Sequence, residues 1–318
     1  MPSPTTAAPA THDAATPRRV LPNGRAISRL VYGAWRLADA QDISVDATLA
    51  RIDACLAQGI DTFDHADIYG DYRCEALFGD AVRARPALRA QLRLVSKTGI
   101  MLPSPQWPGT RVKHYDASAA HVRDSVERSL QRLGVEALEL LLIHRPDPLV
   151  DADALGARLD ALIDAGKVHG VGVSNFLPHD FDLLQSRMRH RLQANQIELG
   201  LLRTAAFADG QLAHAQRLGI VPMAWSPLGG GRLHLEATLP GTAAARLAPR
   251  MAQLAADAGT DTTAVAIAWL LHHPARIVPV LGSSRVERIA RFSEALRVPM
   301  DRQTWFELYE LANGQAVP

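Results

Sequence analysis

The stretch Leu49-Ala50-Arg51-Ile52-Asp53-Ala54-Cys55-Leu56-Ala57-Gln58-Gly59-Ile60-Asp61-Thr62-Phe63-Asp64 decides the fold. Leu49, Ile52 and Leu56 recur at helical spacing on one face, and Gly59 follows as a helix stop. Ile60–Phe63 is then a short apolar run with Asp64 at its end. Helix, turn and strand in this order make the repeating unit of a parallel sheet, whose neighbouring strands need a crossover that helices supply.

Working outward, the same unit recurs. Short apolar, β-rich runs stand at Leu30–Gly33, Ile60–Phe63, Leu92–Ser96, Leu140–Ile143, Val168–Val173, Ala194–Leu199, Ile220–Ala224 and Ile277–Leu281. Amphipathic helical faces separate them, such as Val122, Val126 and Leu130, or Leu155, Leu159 and Leu162. Eight such units close into a barrel, so the expected architecture is α/β, a (β/α)8 TIM barrel. Asn23-Gly24 between two extended pieces predicts an N-terminal β-hairpin. Leu247, Met251 and Leu254, then Val265, Trp269 and Leu270, predict extra helices toward the C-terminus. A doubly wound sheet would carry a glycine-rich phosphate loop after its first strand, but Tyr32-Gly33-Ala34-Trp35 stands there instead. Gly170-Val171-Gly172 lacks a third glycine and reads as small residues inside a barrel strand.

Composition narrows the function classes. With 47% hydrophobic residues and a formal net charge of +1, a large core is available and no field favours nucleic acid or a membrane surface. Residues 1–16, rich in Ala, Thr and Pro, read as a disordered tail before a barrel domain at 17–318. Cys55 and Cys74 belong to no CxxC pair, and a reducing cytoplasm is the simplest compartment for them.

A barrel carries its active site at the C-terminal ends of its strands. Those ends read Asp64, Lys97, His144, Ser174 with Asn175, Gln196, and Trp225 with Ser226. The eighth is followed by Gly282-Ser283-Ser284-Arg285, with Arg288 one helical turn on. Each alone has an ordinary role as cap, surface charge or packing residue. Together with Tyr69 they bring groups of complementary chemistry to one rim. A phenol with a pKa near ~10 is a reluctant acid. Bringing it toward neutrality takes ~3–4 kcal/mol of preferential phenolate stabilisation, about what one ammonium at 4 Å supplies. Lys97 is the expected ammonium, Asp64 its counter-ion, and His144 the group that orients a carbonyl oxygen.

Several segments resemble the motifs of the aldo-keto reductases: Gly59–Gly70 with Asp64 and Tyr69, Leu142-Ile143-His144-Arg145-Pro146-Asp147-Pro148, Gly172-Val173-Ser174-Asn175-Phe176, Asn195-Gln196-Ile197-Glu198, and Ala224–Gly231. They occur in unbroken order from about Arg19 to Pro318. Pro279–Arg285 is most similar to a bacterial subgroup of predicted reductases. The resemblance implies NADPH-dependent reduction of aldehydes or ketones with the tetrad Asp64, Tyr69, Lys97 and His144. It further implies that Ser174, Asn175 and Gln196 hold the nicotinamide carboxamide and that Trp225 stacks on the ring, where a tryptophan in place of the family's usual tyrosine leaves hydrogen bonding in doubt. Gly33, Ser226, Leu228 and Gly230 fall along the cofactor, and Gly282, Ser283, Ser284, Arg285 and Arg288 near the adenosine 2′-phosphate. Trp35 and Trp107 are candidates to line the substrate pocket.

Two other classes stay in view. His65 and Asp67 beside the second strand raise a metal-dependent barrel hydrolase, which needs further ligands at other strand ends. A regulatory subunit that keeps the fold and NADP(H) without turnover is the second.

Overall fold

A computed structural model describes residues 16–318. Two short strands, β1 (Arg18–Val20) and β2 (Ala26–Ser28), pair antiparallel as the expected hairpin. The barrel strands are β3 (Val31–Gly33), β4 (Thr62–Asp64), β5 (Arg93–Thr98), β8 (Leu140–Ile143), β9 (Val171–Ser174), β10 (Ala194–Glu198), β11 (Val221–Trp225) and β12 (Val278–Leu281). All neighbours run parallel, and β12 pairs with β3 to close the ring. Between β5 and β8 lies a small hairpin, β6 (Ile100–Met101) with β7 (His114–Tyr115), which none of the eight apolar runs marks. The tail read over residues 1–16 lies outside the described residues except for Thr16. That residue is buried and donates to Gln58 O.

The side-chain alternation of a strand splits the core in two. In β8, Leu140 and Leu142 face the barrel interior with Val31, Val95, Ala194, Val221, Met223, Val278 and Val280. Leu141 and Ile143 face the helices instead. Leu21 and Ile27 of the hairpin join the interior cluster. The barrel is therefore packed and not a pore. Gly172 sits in β9 where a Cβ would meet Ala194 O at 2.6 Å, which explains a small residue there. Gly59 stops the helix Val45–Leu56 with φ 74°, the left-handed conformation expected of a helix end.

The expected C-terminal helices are Ala243–Asp257 and Thr262–His272, and a further helix, Arg302–Asn313, follows the barrel. The last docks through Trp305, stacked on Trp269 at 4.9 Å, and each indole N–H donates to the other residue's carbonyl. Among the described residues no helix is long and apolar enough to cross a membrane.

Candidate active site

The C-terminal strand ends open into a cavity of about 970 Å³. Lys97, 1% exposed, lies behind the lining residues Asp64 and Tyr69 and donates to Asp64 Oδ2 at 2.7 Å, His65 O at 2.8 Å and Tyr69 Oη at 2.9 Å. An ammonium has three protons, and all three are used. Because Tyr69 Oη accepts from Lys97, its own proton is left to point elsewhere, and Tyr69 lines the cavity.

The chain bends sharply to place this phenol. Gly70, Asp71 and Tyr72 have φ of 59°, 54° and 64°, a left-handed turn that costs roughly 1–2 kcal/mol for each non-glycine residue. Tyr72 is held there by its hydroxyl, which accepts from Leu102 N at 2.8 Å, and by Trp107, 6.0 Å from its ring. Trp107 is therefore a correction to the sequence reading. It packs between Tyr72 and the Arg128 guanidinium and does not line the cavity, whereas Trp35 does.

Charge sets the protonation states. Burial acts to strip the proton from Lys97, but Asp64 and Tyr69 together outweigh it and hold the ammonium above its ordinary pKa. Burial also raises the Tyr69 phenol, and Lys97 offsets only part of this while Asp64 adds to it. The expected lowering of Tyr69 is thus reversed, because desolvation of a phenolate exceeds the attraction of one ammonium. Burial, then Lys97, Arg145 and Lys113, keeps His144 neutral, well below its ordinary pKa. Its Nδ1 is buried without a partner.

The polar residues beyond the tetrad are linked to it. Asp64 Oδ1 accepts from Gln196 Nε2 at 2.8 Å. An ionised carboxylate only accepts, so the amide nitrogen must face Asp64 and Gln196 Oε1 is turned away from it. Asn175, in a left-handed conformation at φ 62°, donates to Ser174 Oγ at 2.8 Å and His144 O at 3.3 Å. Its Oδ1 accepts from the Trp225 indole N–H at 3.0 Å. The tryptophan therefore supplies the hydrogen bond that the sequence left in doubt.

Gly33, Ser174, Asn175, Gln196, Trp225, Ser226, Leu228, Gly230, Gly282, Ser283, Arg285 and Arg288 all line the cavity, while Ser284 does not. Arg36 donates to Gly230 O at 2.8 Å, and the Arg145 guanidinium lies 5.6 Å from the centre of the Trp225 ring. Both line the cavity, as do Lys113 and Arg291, and the sequence reading assigned none of them a role. Arg36 and Arg145 meet residues of distant loops, which no local pattern marks. Polar groups and arginines lining one cavity suit an extended anionic ligand such as a dinucleotide, and the volume lies within the range of ligand sites.

His65 and Asp67 do not line the cavity. His65 is fully buried with its ring edge-on to Phe78 at 4.6 Å, and burial pushes it down to about 3. Asp67 accepts from Ser125 Oγ at 2.8 Å, and burial, with Glu75 adding repulsion, raises it from 3.8 to about 7. Among the described residues no group of three or more His, Cys, Asp or Glu side chains is placed to hold a metal ion.

A raised carboxyl pKa in the folded state carries a pH-dependent cost. That cost is absent below about pH 4, grows as pH rises to about 7, and is complete above it. Asp67→Asn removes the ionisation, so its stability advantage should grow by roughly 3 kcal/mol between pH 5 and pH 8. Urea unfolding at the two pH values measures this; an advantage that shrinks as pH rises contradicts the assignment.

The model of the Aldo/keto reductase family matches residues 29–313. The chain is 54% identical to 6-dehydroglucose reductase of Agrobacterium fabrum over 291 residues, 92% of this chain and 96% of that protein. It is 41% identical to the uncharacterised oxidoreductase YcsN of Bacillus subtilis, again over 92% of this chain and 96% of that protein. Among solved structures, a glycerol dehydrogenase from Gluconobacter oxydans shares the fold with a TM-score of 0.80 at 22% identity, over 94% of this chain and 95% of that one. With the closed parallel barrel and the family match over most of its length, the chain belongs to the aldo/keto reductase family of oxidoreductases.

Proposed function

We propose that this protein reduces an aldehyde to an alcohol with NADPH, Tyr69 acting as the proton donor. One observation carries the reading: Lys97 uses its third proton on Tyr69 Oη at 2.9 Å, which leaves the phenolic proton free at the cavity floor. A raised pKa keeps that proton in place through the neutral range, as a donor requires. Bound NADPH supplies the hydride.

Every other role falls to this chain. His144, neutral, orients the carbonyl oxygen by hydrogen bonding and shares its developing charge. As Tyr69 hands its proton to that oxygen, Lys97 stabilises the phenolate by about 4 kcal/mol for unit charges 4 Å apart at an effective dielectric of about 20. Asp64 keeps Lys97 charged and also holds the Gln196 amide, tying the tetrad to the proposed carboxamide site. Trp225, fixed by Asn175, offers a flat face for the nicotinamide ring. Arg285 and Arg288 would hold the 2′-phosphate, with Ser283 beside them.

The relative named 6-dehydroglucose reductase supports a carbohydrate aldehyde as substrate. The polar lining fits hydroxyl groups: Asp39, Asp71, Lys113 and Arg145 line the cavity, as does Trp35.

Turnover tests the proposal against the regulatory alternative. Purified protein should oxidise NADPH when given a 6-aldehydo sugar, and binding of NADPH without turnover of any aldehyde would sink it. Removing both Arg285 and Arg288 should weaken NADPH while sparing NADH, since charged hydrogen bonds of this kind contribute roughly 1.5–3 kcal/mol each. Equal losses for the two cofactors in a fluorescence titration would give these arginines another role.

A further inference from the structure

The segment bearing Ser283, Arg285 and Arg288 is held from beneath by two side chains that the proposed chemistry does not use. Tyr32, on β3, is 3% exposed and donates its hydroxyl to Ser283 O at 2.9 Å. Arg51, on the helix Val45–Leu56, is 5% exposed. Its Nε donates to Ser284 O at 2.9 Å and its Nη2 to Asp42 O at 2.8 Å. Its Nη1 is buried without a partner. Asp42 hydrogen-bonds Arg51 only through this backbone carbonyl, and its carboxylate accepts from Ser44 N.

A buried guanidinium held by carbonyl oxygens is a costly way to fill space, and an apolar side chain would pack there with no desolvation penalty. What the planar fork does is span two chain segments at fixed angles, which a lysine's single ammonium cannot reproduce. Successive carbonyls, at 283 and 284, are turned inward by Tyr32 and Arg51. Peptide planarity then turns the N–H groups of Ser284 and Arg285 the opposite way. Arg285 N–H meets Ser283 Oγ at 3.1 Å, which locks the turn. The backbone from Ser283 to Arg285 is thus set by β3 and the first barrel helix, and not by the exposed arginines themselves.

We infer that Arg51 and Tyr32 are positioning residues for the adenosine-phosphate end of the site, fixing the 283–285 backbone so that Ser283, Arg285 and Arg288 meet a 2′-phosphate already arranged. The inference rests on the NADP(H) reading above. Exposed arginines lose side-chain freedom when they grip an anion, and a backbone fixed beforehand spares the segment a further ordering cost. Selectivity for the phosphorylated ribose therefore depends on two residues that need not touch it.

Titration calorimetry with 2′,5′-ADP and 5′-ADP reads this end of the site without turnover. Arg51→Met should weaken 2′,5′-ADP by about tenfold or more, the range for a lost hydrogen bond of a charged group, and leave 5′-ADP within about twofold. Arg51→Lys should behave like Arg51→Met, because the fork and not the charge is what acts. Tyr32→Phe, which removes one hydroxyl and keeps the ring, should show the same discrimination loss at about threefold. Amide exchange over residues 283–288 should quicken in all three free proteins. An unchanged ratio of the two ligands in folded variants would overturn the inference, as would wild-type behaviour of Arg51→Lys. Should Arg51→Met fail to fold, Tyr32→Phe decides alone. If the wild type binds both ligands equally, it is the NADP(H) reading that fails, and amide exchange still decides whether the segment is braced.

Discussion

Tyr69→Phe is expected to keep the fold and lower aldehyde reduction by about 10²–10⁴, the usual contribution of a positioned general acid. The ring's place depends on the left-handed turn at Gly70–Tyr72 and on packing that phenylalanine reproduces. What is lost is one hydroxyl, and with it both the free proton and one of three acceptors of Lys97. That ammonium keeps Asp64 and His65 O, so the site retains its charge balance. Cofactor binding, followed by fluorescence, should change little. A variant that loses affinity and rate together would point to a collapsed site.

Lys97→Met should be as damaging to turnover and far more damaging to stability. Without the ammonium, the phenolate formed during proton transfer loses about 4 kcal/mol of stabilisation, near 10³ in rate. Breaking a buried ion pair by removing one partner costs about 3–5 kcal/mol, because Asp64 is then left as an uncompensated buried charge. The two effects separate in a double variant. Adding Asp64→Asn removes the stranded charge and should restore much of the stability in urea unfolding while leaving reduction lost. Recovery of turnover in the double variant would mean that the ammonium acts only as a structural counter-ion.

How much of this was legible follows from how far apart the interacting residues lie. The eight barrel strands are readable because alternation and helical spacing are local signals, and the polar residues at their ends stand out against apolar runs. Boundaries shift where apolarity and pairing differ. Ile60 is fully buried, but the ladder begins at Thr62, and the run read from Val168 pairs as a strand only from Val171. The β6–β7 hairpin has two-residue strands closed by a long loop, too short for any period. Partnerships across the barrel leave no local trace: Gln196 on Asp64 across 132 positions, Arg51 on Ser284 across 233. The direction of the Tyr69 shift depends on how completely the phenol is desolvated, which sequence does not report. Trp225 is the opposite case, an unusual residue in a legible motif whose partner Asn175 lies 50 positions away.

The central claim is that the proton reaching the carbonyl oxygen comes from Tyr69. The measurement that bears on it most directly is the pH profile of kcat/KM for NADPH-dependent aldehyde reduction, in water and in deuterium oxide, for the wild type and Tyr69→Phe. With Tyr69 raised by burial and His144 held neutral, the wild-type profile should be level through neutral pH, fall only in the alkaline range as the phenol ionises, and carry a solvent isotope effect. In Tyr69→Phe the rate should drop, and both the alkaline fall and the isotope effect should disappear. An alkaline fall and isotope effect that survive unchanged in Tyr69→Phe would contradict the account and assign the proton to another group.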